Sequence, residues 1–332
     1  MSLAILTLLF IPGAVLCDSL LGDPSNRFHP VCFIGRLARW AEPFWRQILP
    51  NKAFFAGTLA GMTCCLVMIS SLLLVWFSIC WFFDSVWLQA CLALSVLYIF
   101  IAPSGLSVHA KRVIKALETD TIEKARYEVS MIVGRNTDQL DQYGVARATI
   151  ESVSENLTDG VISSLFWAFI GFLIGGFLGS ALGVTIHRTF NILDALWGKK
   201  NEQYIRFGTF AARTDDLLNF LPARLSLLMI AFSSLWISKS SCLNALKIGW
   251  KYRYAHASPN SAWSEAAFAG ALNLKLGGPV KYKDLEAPYP WIGEGNMDAT
   301  TQDINKSLRL MWTTTWSTSL LLSSILIIIT IL

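Results

Sequence analysis

Apolar runs at 3–21, 54–83, 86–103, 161–187, 217–237 and 311–332 alternate with polar stretches along this 332-residue chain. Runs 54–83 and 86–103, which part near Asp84, each have the roughly 20 residues that a membrane helix needs. Run 3–21 holds Pro12, Gly13 and Asp18 but no basic n-region, so it reads as a membrane or membrane-edge helix rather than a signal peptide. Gly57 and Gly61 form a GxxxG that lets helices approach closely. Gly171, Gly175, Gly179 and Gly183 recur every four residues and predict a tightly packed helix face. The pattern predicts an all-α, polytopic integral membrane protein with about four to six membrane segments and helical cytoplasmic loops. It forms one membrane-embedded domain, 1–332, whose large loop regions are 104–160 and 238–309.

The polar stretches carry the chemistry. In 104–160, Asp120 and Glu123 predict a capping box opening a helix through about Ile132. Gly134-Arg135-Asn136-Thr137-Asp138 breaks it. A second helix then carries Arg147, Glu151, Glu155 and Asp159 at intervals of four, on one face. Asn156 sits beside that face. Such a row is also what a solvated helix with alternating charge looks like. Here it abuts a membrane-length apolar run, where idle charge is costly. Further on, Thr214 or Asp215 would cap a helix in which Asp215 and Asn219 share a face. Asp215, Asp216 and an amide make a candidate oxygen cage for magnesium. Arg224 is a basic residue embedded in an apolar run, and a charge there is by default a functional residue. Ser258-Pro259-Asn260-Ser261 reads as a turn, followed by a small-residue helix from Glu265 to Leu274. Near the start, Asp18, Asp23 and His29 are the side chains capable of chemistry.

Composition narrows the class. Hydrophobic residues make up 54% of the chain and charged residues only 15%, against about 25% charged in soluble domains. The net charge of +4 is spread over several loops, which gives nucleic-acid binding no support. The seven cysteines show no zinc spacing and read as reduced packing residues. No GxxxxGK[ST] occurs, so any use of ATP is not of the P-loop kind.

Charge also sets an expected topology. Stretches 27–52, which includes Arg27, and 104–160 carry five and seven Lys or Arg, and the link at Asp84 carries none. The positive-inside rule places both stretches in the cytoplasm and Asp84 outside. If 161–187 and 217–237 each crossed once, the loop 188–216 would lie outside with its five Lys or Arg and the Asp pair. That conflict predicts that one or both segments are re-entrant or half-buried. The glycine recurrence argues instead for an ordinary helix.

The polar stretches, in this order, resemble the adenosylcobinamide-phosphate synthases of cobalamin biosynthesis, the CbiB/CobD proteins. The resemblance rests on Gly22-Asp23-Pro24 with His29-Pro30; Gly134-Arg135; Glu151-Ser152, Glu155-Asn156 and Asp159-Gly160; and Leu165-Phe166-Trp167. It continues with Asn191 and Asp194; Arg213 with Asp215-Asp216, Asn219 and Pro222-Ala223-Arg224; and Ser258-Pro259-Asn260, Glu265-Ala266-Ala267 and Leu276-Gly277-Gly278. It covers about residues 12 to 310. Ser164, Ile192 and Ser261-Ala262 depart from the family's usual Pro, Thr and Ala-Gly.

The resemblance implies a multi-pass enzyme of the bacterial inner membrane with a cytoplasmic active site. It would join adenosylcobyric acid to aminopropanol phosphate, or ethanolamine phosphate, in an amide, with ATP and Mg2+. Its partners would be the corrinoid, the lipid bilayer and other cobalamin-assembly membrane enzymes. Asp159, Asp215 and Asp216 would hold magnesium. Glu151, Glu155 and Asp159 would be the catalytic carboxylates. Arg135, Arg147, Arg213 and Arg224 would hold phosphates. His29, Asn156, Asn191, Asn219, Ser258, Asn260 and Glu265 would contact substrates. Two other classes compete: a non-catalytic signalling or scaffold relative of the AmpE kind, and a membrane transporter.

Overall fold

The structure, a computed structural model, describes the backbone of residues 3–24, 29–83, 85–282, 285–287 and 290–331. The expected outer tip at Asp84 and the basic-loop member Arg27 lie outside these residues. In chain order the helices are α1 (Leu3–Leu21), α2 (Pro30–Ile48), α3 (Ala53–Phe82), α4 (Val86–Phe100), α5 (Pro103–Thr119), α6 (Ile122–Ser130) and α7 (Gln142–Asn156). A π-helical stretch, Leu157–Ile162, leads into α8 (Ser163–Trp197), α9 (Thr209–Leu218), α10 (Phe220–Ser233), α11 (Lys239–Tyr252), α12 (Ser261–Leu272) and α13 (Thr301–Ile331). Four short strands follow α12: β1 (Leu276–Gly277), β2 (Val280–Tyr282), β3 (Leu285–Ala287) and β4 (Trp291–Ile292). They pair antiparallel, β1 with β4 and β2 with β3. Among the described residues four helical stretches, Gln142–Trp197 with its break at Gly175–Gly176 among them, have the length and composition of a membrane span, or five if Thr209–Leu218 and Phe220–Trp236 count as one broken span.

The chain divides into two compact units. The first comprises 1–102, 163–219 and 319–332, and holds the most apolar helices. Within it, Ala56, Gly57, Ala60 and Gly61 form a smooth buried face of α3. A Cβ at Gly57 would meet the Phe207 carbonyl oxygen at 1.8 Å, so the GxxxG does permit close backbone approach.

The glycine recurrence in α8 has a different cause from the helix face expected. Gly175 and Gly176 leave helical geometry, and Gly176 has φ +62°, the left-handed region open to glycine. The chain doubles back there. A Cβ on Gly171 would lie 2.1 Å from the Gly179 carbonyl oxygen, and one on Gly183 would lie 2.4 Å from that of Trp167. Gly175 helps make the turn; Gly171, Gly179 and Gly183 make the seam between two antiparallel arms. The apolar arm 161–174 is about 21 Å long at ~1.5 Å per residue, short of the ~30 Å hydrocarbon layer. Segment 161–187 is therefore a helical hairpin, the geometry expected of a re-entrant segment.

The second unit comprises 103–162 and 220–318, and gathers most of the polar stretches. Thr121, rather than Asp120, caps α6, accepting from Lys124 N at 3.3 Å; the helix ends at Ser130. Asp141 caps α7 through Gly144 N at 2.6 Å. Ser238 caps α11. The small-residue helix starts earlier than expected, at Ser261, and stops where Asn273 turns left-handed at φ 55°. Gly270 and Gly249 let α11 and α12 pack closely.

Candidate active site

In the second unit α7, α12 and the loops around them enclose a cavity of about 350 Å³. Arg135, Glu151, Glu155, His256 and Glu265 line it. Glu151 and Glu155 face it together because they lie four apart on α7. Arg135, on the loop before α7, donates from Nη2 to Glu151 Oε2 at 2.6 Å. Gly277 N donates to the other oxygen of Glu151 at 2.7 Å. Both oxygens of Glu151 are thus engaged, which fixes the positions of a guanidinium and of strand β1. Among the described residues the buried Nε of Arg135 has no hydrogen-bond partner. It is a donor left for a ligand.

Glu155 is held differently. Ser261 Oγ donates to its Oε1 at 3.1 Å, and among the described residues no hydrogen bond engages Oε2. Glu265, on α12, is 4% exposed. Burial holds its carboxyl well above the usual carboxylate range; the charges of Glu155 and Glu151 add to that, and Arg135 opposes it. The cavity therefore holds a buried acid whose neutral form is favoured, with two further carboxylates and a guanidinium beside it.

The row Arg147, Glu151, Glu155, Asp159 does not act as one face. Arg147 donates to the Met297 carbonyl oxygen at 2.5 Å and lies over the Trp291 ring. The π-helical turn at Leu157–Ile162 shifts the register after Asn156, so Asp159 falls outside the cavity lining, although its charge still reaches Glu265. Asn156 turns back along α7 to Ser152, bonding its carbonyl oxygen at 2.9 Å. Ser258 and Asn260 shape the loop before α12: Ser258 N donates to His256 Nδ1, and Asn260 N to Ser258 Oγ. Arg224 is not in this cavity; it lies against Asn260, Phe220 and Trp263 in a separate apolar groove.

The first unit holds a second polar cluster. Asn219 Oδ1 accepts from Ser163 Oγ at 2.6 Å and faces His187 Nε2 at 3.0 Å. An amide oxygen only accepts, so the proton sits on Nε2 and Nδ1 is left as a bare acceptor. Among the described residues that buried Nδ1 has no partner. Asp215 takes the side-chain amides of Asn219 and Asn191 and lies close to Asp194, while its buried Oδ1 is left without a partner among the described residues. Asn191 in turn accepts from Arg188 at 2.7 Å. Asp216 is half-buried, within the field of Lys200. Arg213 lines a basic recess with Lys199 and Lys200. His29 caps α2 through Val31 N at 3.1 Å, with Asp23 at 3.3 Å on its other side.

Among the described residues no three His, Cys, Asp or Glu side chains converge as a metal-holding group. Magnesium, however, is commonly held by one or two carboxylates plus substrate phosphates, and the orphaned Oδ1 of Asp215 fits a cation held in that way.

Sequence reasoning missed His187, Ser261, His256 and the Gly277 amide. His187 ends an apolar run beside Arg188, which was a usable signal. The Gly277 amide carries no sequence signal, because any residue except proline has one.

A family model described as "CobD/Cbib protein" matches residues 11–311. The chain is 36% identical to the cobalamin biosynthesis protein CobD of Clostridium perfringens, over 91% of this chain and 92% of that protein. It is 35% identical to CbiB of Salmonella typhimurium, covering 89% and 90% of the two chains. It is also 35% identical to CobD of Klebsiella pneumoniae, covering 92% and 93%. No solved structure matches the chain.

Proposed function

The chain belongs to the CobD/CbiB family, and from that premise we propose that it is the amide-forming ligase of cobalamin biosynthesis, joining adenosylcobyric acid to aminopropanol phosphate with ATP. The observation that carries this reading is the second-unit cavity, where Arg135, Glu155 and the buried Glu265 meet.

A carboxylate at neutral pH does not acylate an amine. In this reading its oxygen attacks the γ-phosphorus of ATP, ADP leaves, and an acyl phosphate results. The amine nitrogen then attacks the acyl carbon, the C–O bond to phosphate breaks, and inorganic phosphate leaves. The nitrogen must also lose its extra protons. Oε2 of Glu155 is the free acceptor for one of them, while Ser261 fixes its other oxygen. Burial of Glu265 beside it favours the neutral acid, which would limit adjacent negative charge. The free Nε–H of Arg135 would bind a phosphoryl or carboxylate oxygen. Magnesium would supply neutralisation of phosphate charge where ATP binds; within the first unit, Asp215 is the carboxylate with an orphaned oxygen that fits such a cation. The cavity has the size of a small-molecule site and takes the reacting ends of the two substrates rather than the whole corrin.

The test is the purified protein in nanodiscs with adenosylcobyric acid, aminopropanol phosphate and magnesium-ATP. Amide and ADP formed in equal amounts support the ligase; no amide from folded protein, with ethanolamine phosphate tried as well, overturns it.

A further inference from the structure

A groove of about 340 Å³ in the second unit is lined by Arg224, Leu227, Leu228, Leu246, Trp250 and Trp263. It shares no lining residue with the carboxylate cavity. Its wall is apolar apart from one cation. The Arg224 guanidinium stacks 3.7 Å from the Phe220 ring centre and 4.6 Å from that of Trp263. Its Nη1 donates to the Phe220 carbonyl oxygen and to Asn260 Oδ1, both at 2.8 Å. Both acceptors are neutral. Among the described residues no carboxylate lies within 4 Å of it, whereas Arg46, Arg126 and Arg135 each meet one. The guanidinium has five N–H donors, so an anion can still be bound.

The surroundings say what kind of anion. On α11, Leu243, Leu246 and Trp250 fall on one helical face and are exposed, while Ala245, Ile248 and Gly249 bury the other. Leu228, Phe232 and Trp236 are exposed on the neighbouring α10 segment. Lys239, Lys247 and Lys251 are carried by α11, and Arg253 lies over the rings of Trp250 and Tyr254. An exposed apolar helix face with tryptophan, tyrosine and basic residues at its rim is the composition of a membrane-interface helix. A second copy of the chain would bring like charges against these cations. A free phosphate would have no use for the leucine wall.

We propose that this groove is a binding site for an anionic phospholipid, its phosphodiester on Arg224 and an acyl chain along Leu227, Leu228 and Leu246. The site does not depend on the ligase reading.

The test uses the full chain released from nanodiscs of equal phosphatidylglycerol and phosphatidylcholine and weighed by native mass spectrometry. The wild type is expected to keep phosphatidylglycerol over phosphatidylcholine by about tenfold, because both carry the phosphodiester but only phosphatidylcholine brings a like charge, its choline, toward Arg224. Arg224→Gln should bring the two lipids to parity. Leu246→Gln, an uncharged polar change at an exposed position, gives an independent reading of the acyl wall and should lower retention of phosphatidylglycerol without unfolding the protein. Equal retention of both lipids by the wild type, or an unchanged preference in both variants, would overturn the assignment. So would Arg224-dependent binding of inorganic phosphate with no lipid preference, which would make the site one for a soluble phosphoryl group.

Discussion

The two polar clusters use carboxylates in opposite ways. In the second unit Glu151, Glu155 and Glu265 face a cavity with a guanidinium beside them. In the first, Asp215 is buried among the amides of Asn191 and Asn219, with His187 bonded to the same Asn219. An acid with a free oxygen next to a cavity and a cation can exchange protons with a ligand. An acid held by amides, with one orphaned oxygen, is arranged to bind a fixed positive charge. The difference teaches that acidic residues read alike in sequence divide by their neighbours, one set beside a guanidinium and a cavity, the other held among amides.

The largest effect that sharpens this contrast is at Glu155. Glu155→Gln is expected to slow amide formation by about 100-fold or more, the contribution of a positioned base, with folding unchanged, as read by mass spectrometry of initial rates. Asp215→Asn should instead raise the magnesium concentration needed for half-maximal rate and be partly rescued by excess magnesium. Rescue of Glu155→Gln by magnesium, or none for Asp215→Asn, would erase the distinction.

A smaller, structural effect is expected at the Arg135–Glu151 pair. Both side chains are mostly buried, and removing one partner of such a pair costs about 3 kcal/mol. Arg135→Met alone should therefore destabilise the protein more than Arg135→Met with Glu151→Leu, a comparison that unfolding midpoints in detergent can make.

The smallest effect is in pH dependence. Glu265 binds its proton more tightly folded than unfolded. Between the ordinary glutamate range and the raised folded value the folded state holds more protons, so stability falls as pH rises. Glu265→Gln should flatten that fall at pH values above the ordinary glutamate range, measured by unfolding midpoints.

Much of the membrane character was legible in sequence, because long apolar runs admit few other readings. The hairpin in 161–187 was half legible. The charge conflict around 188–216 called for a turn back, but Gly-every-four looks the same whether it lines a straight helix or closes a seam. Only the left-handed Gly176 separates the two. At the site, Glu151 and Glu155 were legible from their spacing. Asp159 was misplaced because nothing local marks where an α-helix widens into π-turns. Arg224 was flagged correctly as unusual, yet a charge in an apolar run does not say which groove it faces. Ser261 could not be read as the partner of Glu155, since 106 residues separate them.

The central claim, that Glu155 deprotonates the incoming amine, is tested most directly by replacing aminopropanol phosphate with hydroxylamine. Hydroxylamine is neutral at pH 7 and needs no base, so it traps an acyl phosphate as a hydroxamate. The account predicts that Glu155→Gln, given adenosylcobyric acid and magnesium-ATP, makes hydroxamate at near the wild-type rate while failing to make the aminopropanol phosphate amide. Loss of both products together, or retention of the amide, would contradict it.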